Sequence, residues 1–185
     1  MLYTMTNAQS SLRTKAEDLK MGKINEERIL QIWRAKMGSR WRQFEDQYSN
    51  NDFFDDNGDH MEHKSRRITK NRYDTALMPK HKADGEYRNL YFTYTYLDGF
   101  YYIKYDKELF STFKVKPMKV YRDGKYDKEQ LCFEIPNNLL INIDTLPDME
   151  VRIDILQRHY NASMGDDCDI WALEESMKNQ IKKIQ

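Results

Sequence analysis

Apolar residues recur at helical spacing near the start of the chain. The positions that share one side of a helix are Ile29, Leu30, Trp33 and Met37. Asn25 is a favourable N-cap residue, and Gly38 is typical of a helix end. The pattern therefore predicts a helix from Asn25 to Met37. The preceding residues 1–21 are polar and predict at most a loose helix over 12–21.

Segments rich in aromatic and β-branched residues follow this helix and predict a sheet. Asn57 and Gly58 stand at the predicted turn of one hairpin, and Asp98 and Gly99 at the turn of another. The second hairpin carries the strongest strand signal in the chain. The predicted strands are, in chain order, 41–45, 52–55, 60–67, 90–97, 100–105, 115–121 and 130–135.

The remaining segments predict short connections and closing helices. Residues 71–82 fit either a helix or a connection, and residues 137–143, which follow a proline, predict a short helix. Two further helices are predicted at 151–160 and 169–184. A helix, several strands and closing helices indicate an α/β domain of the α+β type with a mixed sheet. We divide it into a lead-in at 1–21, a core at 22–143 and a helical extension at 144–185.

Composition narrows the class of protein. The 185 residues carry 30 Lys and Arg against 30 Asp and Glu, and the mean hydropathy is −0.92. We find no run of about 20 apolar residues, the length that a membrane-spanning helix needs, and no apolar signal segment in residues 1–11. Cys132 and Cys168 are too few and too far apart for a disulfide framework. These features predict a soluble intracellular protein without a membrane partner.

Charge is unevenly distributed although the net charge is zero. Residues 60–72 contain a single acid, Glu62, among the basic residues Lys64, Arg66, Arg67, Lys70 and Arg72. The acids just ahead of this segment are Asp52, Asp55, Asp56 and Asp59. Cations that hold a polyanion beside acids that hold a metal are what metal-assisted phosphodiester chemistry requires. The simpler alternative is a solvated turn beside a charged strand.

The alternation of side chains along a strand brings part of this segment together. Glu62 and Lys64 share one face of the predicted strand, whereas Met61 and His63 point to the other face as packing positions. Asp52, on the partner strand of the hairpin, can lie opposite them. The carboxylates and the backbone carbonyl of His63 are hard oxygen ligands suited to Mg²⁺ or Mn²⁺. Lys64 can orient a water molecule and offset charge on a phosphate.

These residues resemble the motif of the PD-(D/E)XK nuclease superfamily. Asp52 is separated by nine residues from Glu62-x-Lys64, and Ser65-Arg66 follows. Other features look like small stand-alone nucleases of large DNA viruses and phages. They are the segment 73–78, the Tyr-rich hairpin 90–105 and the Ile135-Pro136-x-x-Leu139-Leu140 motif. The resemblance covers residues 20–143.

The resemblance implies a restriction-endonuclease-like core and metal-dependent hydrolysis of phosphodiester bonds in DNA, with RNA left open. Glu26, on the apolar face of the predicted helix, would join Asp52, Glu62 and the His63 carbonyl around Mg²⁺, or Mn²⁺ in its place. Lys64 would be the catalytic lysine. The basic residues expected to contact substrate are Arg66, Arg67, Lys70 and Lys82.

Several alternatives stay open at this stage. Asp55 or Asp56 could take the place of Asp52 in the motif. The chain could also be a catalytically inactive nucleic-acid- or protein-binding module with the same fold, or a viral assembly protein. A homodimer is compatible with the resemblance, and a viral origin would place the protein in the cytoplasm or nucleus of the host cell.

Overall fold

The computed structural model describes residues 14–46, 49–122 and 125–149. Its first element is helix α1, Lys15–Met37. Thr14 caps the helix: its hydroxyl accepts from the Glu17 amide at 3.2 Å, and its own amide donates to the Glu17 carboxylate at 3.0 Å. The predicted start at Asn25 is therefore wrong. The reciprocal cap lets the helix begin at Lys15, so that it includes residues expected to form at most a loose helix.

Each predicted strand segment between residues 41 and 135 contains a strand in the structure. The strands are β1 Arg42–Gln43, β2 Phe53–Phe54, β3 Asp59–Ser65, β4 Thr75–Pro79, β5 Asn89–Tyr96, β6 Gly99–Lys104, β7 Val115–Met118, β8 Tyr121–Arg122, β9 Lys125–Tyr126, β10 Gln130–Pro136 and β11 Ile141–Asn142. A short helix, α2 Lys107–Ser111, follows β6. Single 3₁₀ turns lie at Lys70–Arg72, Lys80–Ala83, Asn137–Leu139 and Ile143–Thr145.

Two expectations for the connections are resolved by this order. The ambiguous residues 71–82 hold β4 and parts of two 3₁₀ turns rather than an α-helix. The short helix predicted at 137–143 is present as the 3₁₀ turn Asn137–Leu139 and ends there, because Ile141 and Asn142 pair with Tyr102 and Tyr101 at the edge of the sheet. Pairing with a strand distant in sequence here overrides the local pattern.

The main sheet is mixed, and this makes the fold a mixed α+β domain. Its six strands lie in the order β1-β2-β3-β5-β6-β11. Strands β3 and β5 run parallel, whereas each of the other neighbouring pairs is antiparallel. A parallel pair needs a crossover, and residues 66–88 supply it with β4 and the 3₁₀ turns. A second sheet has the order β4-β10-β7, and β8 pairs with β9.

Two apolar clusters cover opposite faces of the main sheet. The first packs α1 on the sheet through Ile29, Trp33, Phe53, Met61 and Tyr91. The second joins the main sheet to the β4-β10-β7 sheet, and its buried members include Met78, Phe92, Tyr94, Phe133 and Ile135. The alternation along β3 therefore sends Met61 toward α1 and Glu62 toward the second sheet.

The structure bears on two further expectations. Within the described residues no helix combines the length and apolar character needed to cross a bilayer. The helices predicted at 151–160 and 169–184 lie outside the described residues, as does most of the helical extension at 144–185.

Candidate functional site

Asp52 lies directly ahead of β2 and is held against β3 by two hydrogen bonds. Its amide donates to the carbonyl oxygen of Met61 at 3.1 Å. The amide of His63 donates to Asp52 Oδ2 at 2.7 Å. The register that pairs Phe53 with Met61 continues at this end of the hairpin. The Asp52 carboxylate is therefore fixed beside the Glu62-His63-Lys64 segment, as its spacing in the sequence predicts.

The other two candidate aspartates take part in the turn of the hairpin. Asp55 is buried, and its carboxylate accepts from the amides of Asn57 and Asp59, both at 2.9 Å, and from the Asn57 side chain at 3.0 Å. Gly58 turns the chain with φ +83°. Asp56 is paired with Arg42. Among the aspartates that sequence reasoning left open, Asp52 is the one that lies next to Glu62.

Glu62 is the most deeply buried charged residue of the site. Its side chain is 1% exposed, and Oε1 contacts the Lys64 ammonium. Oε2 lies 3.1 Å from Lys82 Nζ, but this oxygen has no well-formed hydrogen bond among the described residues. A buried carboxylate is costly unless cations accompany it. The two lysines therefore hold Glu62 at the floor of the site from two sides.

Glu26 approaches the same place from α1. It is half-buried, whereas Glu27 is exposed. Gln43 of β1 donates to its carboxylate at 2.8 Å. Burial raises the pKa of Glu26, the negative charge of Asp52 raises it further, and Lys64 opposes the change. These interactions place Glu26 within electrostatic reach of both Asp52 and Lys64.

The carboxylates crowd one another, and Asp52 shows this most clearly. Burial, followed by the charge of Glu62, raises the pKa of Asp52 to about 6, although Lys64 and the His63 amide act against the rise. A pKa raised by a neighbouring carboxylate means that the pair would be stabilised by an additional cation. The electrostatics of the site therefore favour a positively charged ligand.

The His63 side chain has a packing role on the opposite face, as the strand alternation predicts. Its Nδ1 lies 3.0 Å from Thr93 Oγ1, and its Nε2 lies 3.2 Å from Thr95 Oγ1. Burial lowers the pKa of His63 to about 3, so the imidazole is neutral at physiological pH. The backbone of His63 is the part that faces Asp52, through the hydrogen bond from its amide.

The four basic residues expected to contact substrate divide into two groups. Arg66 is half-buried and donates to the Leu77 carbonyl at 2.8 Å, and Lys82 donates to the Asn50 carbonyl at 2.6 Å while it also contacts Glu62. Both therefore lie at the site. Arg67 is directed to α1, where it lies 3.5 Å from Asp18 Oδ1. Lys70 lies over the Tyr101 ring at 4.9 Å. These last two are not among the residues that line the cavities around Lys64.

Two cavities meet at the site. The first, here called the acidic cavity, has a volume of about 650 Å³ and contains Glu26 and Asp52. The second, here called the basic cavity, has a volume of about 890 Å³ and contains Lys82 and Lys116. Lys64, Arg66 and Val120 line both cavities. Lys64 thus stands at the junction between a region rich in carboxylates and a region rich in cations.

Two residues of the site were missed by sequence reasoning. Asn51 is 3% exposed, lines the acidic cavity, and has no hydrogen-bond partner for either side-chain polar atom among the described residues. Asn50 donates to the carbonyls of His81 and Asp84 at 3.2 and 3.0 Å. It thereby fixes the 3₁₀ turn that carries Lys82. In the sequence, two asparagines before an aspartate indicate only a loop.

The oxygen atoms at the site are of the kind that binds a hard divalent cation, although the side chains that carry them are not grouped as in a complete metal site. In the described ranges, no three side chains of the His, Cys, Asp and Glu types are grouped closely enough to hold a metal ion. Yet Asn51 Oδ1 and Glu62 Oε2 are buried oxygens without hydrogen-bond partners, and Asp52 is destabilised as an anion. Carboxylate and amide oxygens are the ligands that Mg²⁺ prefers. The residues present therefore fit such an ion.

Comparison of the chain with protein-family models, curated proteins and solved structures gave no match.

Proposed function

We propose that this protein is a metal-dependent nuclease that hydrolyses phosphodiester bonds in DNA, built on a restriction-endonuclease-like core. The observation that carries the proposal is the position of Asp52, Glu62 and Lys64 at one end of the β2–β3 hairpin, with Glu26 of α1 beside them. The carboxylates come from separate elements, and each is at least partly buried. Solvated surface charges have no need of such an arrangement.

Each residue of the site has a defined part in this proposal. Asp52, Glu62 and the His63 carbonyl would hold Mg²⁺, or Mn²⁺ in its place, and Glu26 would complete the set of oxygen ligands. An ion bound there supplies Lewis acidity, since it polarises a phosphate oxygen and lowers the pKa of a water molecule toward 7. Lys64 orients the attacking water and offsets the negative charge that develops on the phosphate.

The basic residues at the site complement this chemistry. Arg66 and Lys82 lie on the same side as Lys64 and offer cations to the phosphates next to the scissile bond. Neither Glu62 nor Lys82 is freely mobile, because each is held by a named partner: the two lysines for Glu62, and the Asn50 carbonyl for Lys82. A preorganised set of charges lowers the barrier without reorganisation during the reaction.

One observation favours a second candidate function. Both oxygens of Glu62 are in contact with lysines, and the described residues include no assembled group of three metal ligands. This arrangement would also suit a nucleic-acid-binding module that keeps the fold but does not cleave. Such a module would bind DNA in a salt-dependent way and would gain nothing from divalent metal.

Cleavage assays with a matched pair of variants test the proposal. End-labelled single-stranded, duplex and branched DNAs are incubated with the protein in Mg²⁺, Mn²⁺ or EDTA. Glu62→Gln keeps the size of the buried side chain, and Glu108→Gln makes the same change at an exposed position on α2. We expect metal-dependent cleavage by the wild type and by Glu108→Gln, and none by Glu62→Gln. Cleavage that persists in EDTA or in Glu62→Gln would contradict the proposal.

A further inference from the structure

The candidate metal ligands lie at the bottom of a recess, and this restricts how a phosphate can reach them. The Glu62 side chain is 1% exposed, and Asp52 is half-buried in the lining of the acidic cavity. In a duplex the phosphates lie along a stiff, regular helix, whereas a single strand can bend and turn individual phosphates inward. A recessed site is therefore reached more easily by a flexible strand.

The two cavities give such a strand a path. The acidic and basic cavities share Lys64, Arg66 and Val120, so they adjoin at the catalytic lysine of the proposed function. Volumes of about 650 and 890 Å³ are in the range of pockets that enclose a small molecule. Each cavity therefore has room for a few nucleotides of one strand and not for a duplex.

The lining of the basic cavity has the chemistry of a single-strand binding surface. Tyr73 is 60% exposed at its edge, and the Arg72 guanidinium lies over its ring at 6.0 Å, so a base would stack on the ring beside a cation. Lys82 and Lys116 supply cations, and Lys116 is 42% exposed while it pairs with Glu134 at 2.5 Å. Asp74 and Glu134 are the acids in the lining. Exposed aromatic rings combined with backbone-binding cations are how proteins hold single strands without reading their sequence.

We propose that the basic cavity binds single-stranded DNA on one side of the scissile phosphate, so that the substrate is a single strand or the unpaired end of a duplex. This inference rests on the proposed nuclease function for the position of the scissile bond. The binding step itself needs only the residues of the cavity. Binding and cleavage can therefore be tested separately.

Binding is measured first, in EDTA, by fluorescence anisotropy of a labelled thymidine 12-mer and of a blunt duplex of equal length. Tyr73→Ala removes the exposed ring, and Tyr73→Phe keeps it. Lys116→Gln removes a cation, and Lys107→Gln does the same on the exposed surface of α2. We expect Tyr73→Ala to weaken binding of the 12-mer roughly 5- to 150-fold, the effect of losing one stacked base. We expect Lys116→Gln to reduce the slope of log affinity against log salt by about 0.7.

The two control variants and the blunt duplex show whether the binding is specific to the cavity and to a single strand. Tyr73→Phe and Lys107→Gln should bind the 12-mer as the wild type does, and the wild type should prefer the 12-mer to the blunt duplex. Equal affinity for both DNAs, or 12-mer binding that is unchanged in Tyr73→Ala and Lys116→Gln, would overturn the inference.

Cleavage by the same proteins in Mg²⁺ separates this inference from the proposed function. Cleavage that depends on Lys64, together with binding that is unchanged in the Tyr73 and Lys116 variants, would support the nuclease and overturn the proposal that the basic cavity binds a single strand. Single-strand binding that depends on Tyr73 and Lys116, without cleavage under any condition, would support the proposed binding by the basic cavity and overturn the proposed nuclease function.

Discussion

The ammonium nitrogen of Lys82 lies 3.1 Å from Oε2 of Glu62, although the two residues belong to different elements. Glu62 comes from the middle of β3, and Lys82 comes from the 3₁₀ turn Lys80–Ala83 in the crossover to β5. The contact exists because Asn50 ties that turn to the loop ahead of β2. The lysine thus stands where it can neutralise the buried carboxylate and face the basic cavity.

We expect Lys82→Ala to destabilise the metal-free protein by about 1–3 kcal/mol, because Glu62 Oε2 would lose its cation in a buried position. Lys64 still contacts the other oxygen and limits the loss. Urea unfolding in EDTA measures the change. Lys80→Ala, an exposed neighbour on the same turn, should alter stability by less than about 0.5 kcal/mol. Equal losses in the two variants would show that the contact contributes nothing.

Divalent metal should stabilise the folded protein through Asp52 and Glu62. At about a hundred times its dissociation constant, Mg²⁺ should add about 2.7 kcal/mol to the free energy of unfolding. For a chain of this size that is a rise in Tm on the order of 5–10 °C. Asp52→Asn should abolish the rise, whereas Asp56→Asn, at the exposed position paired with Arg42, should keep it. A rise that persists in Asp52→Asn would place the metal elsewhere.

The stability of the metal-free protein should depend on pH through Asp52. Its pKa is raised from 3.8 to about 6 in the folded state, so between these values the folded state binds more protons than the unfolded state. The contribution of Asp52 to stability therefore falls as pH rises through this window. Asp52→Asn removes the effect and keeps an oxygen for the His63 amide.

Thermal unfolding in EDTA across pH 4–8 measures this effect. We expect Asp52→Asn to gain stability over the wild type between pH 4 and pH 6, and to keep a gain of about 1–3 kcal/mol above pH 6. A difference between the two proteins that does not change with pH would contradict the raised pKa of Asp52, and with it the burial and the repulsion from Glu62 that raise it.

Asp55 should be needed for folding and not for chemistry. Its carboxylate accepts three hydrogen bonds within the hairpin turn, and Asp55→Ala should cost about 1–3 kcal/mol by leaving those donors unsatisfied. The rate of cleavage per folded molecule should stay that of the wild type. Denaturant unfolding and single-turnover cleavage report the two effects separately. Loss of cleavage in a folded Asp55→Ala protein would show that Asp55 takes part in the site.

The local parts of the site could be predicted because local rules determine them. Strand alternation predicts that Glu62 and Lys64 share a face and that His63 packs on the other. Turn chemistry at Asn57 and Gly58 predicts the hairpin that brings Asp52 to β3. Helical spacing predicts that Glu26, rather than Glu27, turns toward the site. In each case the residues are close in sequence or joined by one tight turn.

The rest depends on contacts between distant segments. The pairing of Lys82 with Glu62 arises from the crossover to β5, and a parallel pairing has no local signature in the sequence. The helix predicted at 137–143 ends after the turn Asn137–Leu139 for the same reason, because β11 pairs with β6. The early start of α1 has a local signal in Thr14 and Glu17, but the apolar stripe from which the helix is predicted begins later, at Ile29.

The most direct test of the central claim is the single-turnover rate of DNA cleavage by Lys64→Ala in Mg²⁺. The wild type and Lys80→Ala serve as references, and all three proteins are first shown to be folded by circular dichroism. If Lys64 orients the water and stabilises the charge on the phosphate, its loss should lower the rate by about 10²–10³-fold, while Lys80→Ala cleaves as the wild type does. Cleavage by folded Lys64→Ala at the wild-type rate would contradict the assignment of this site.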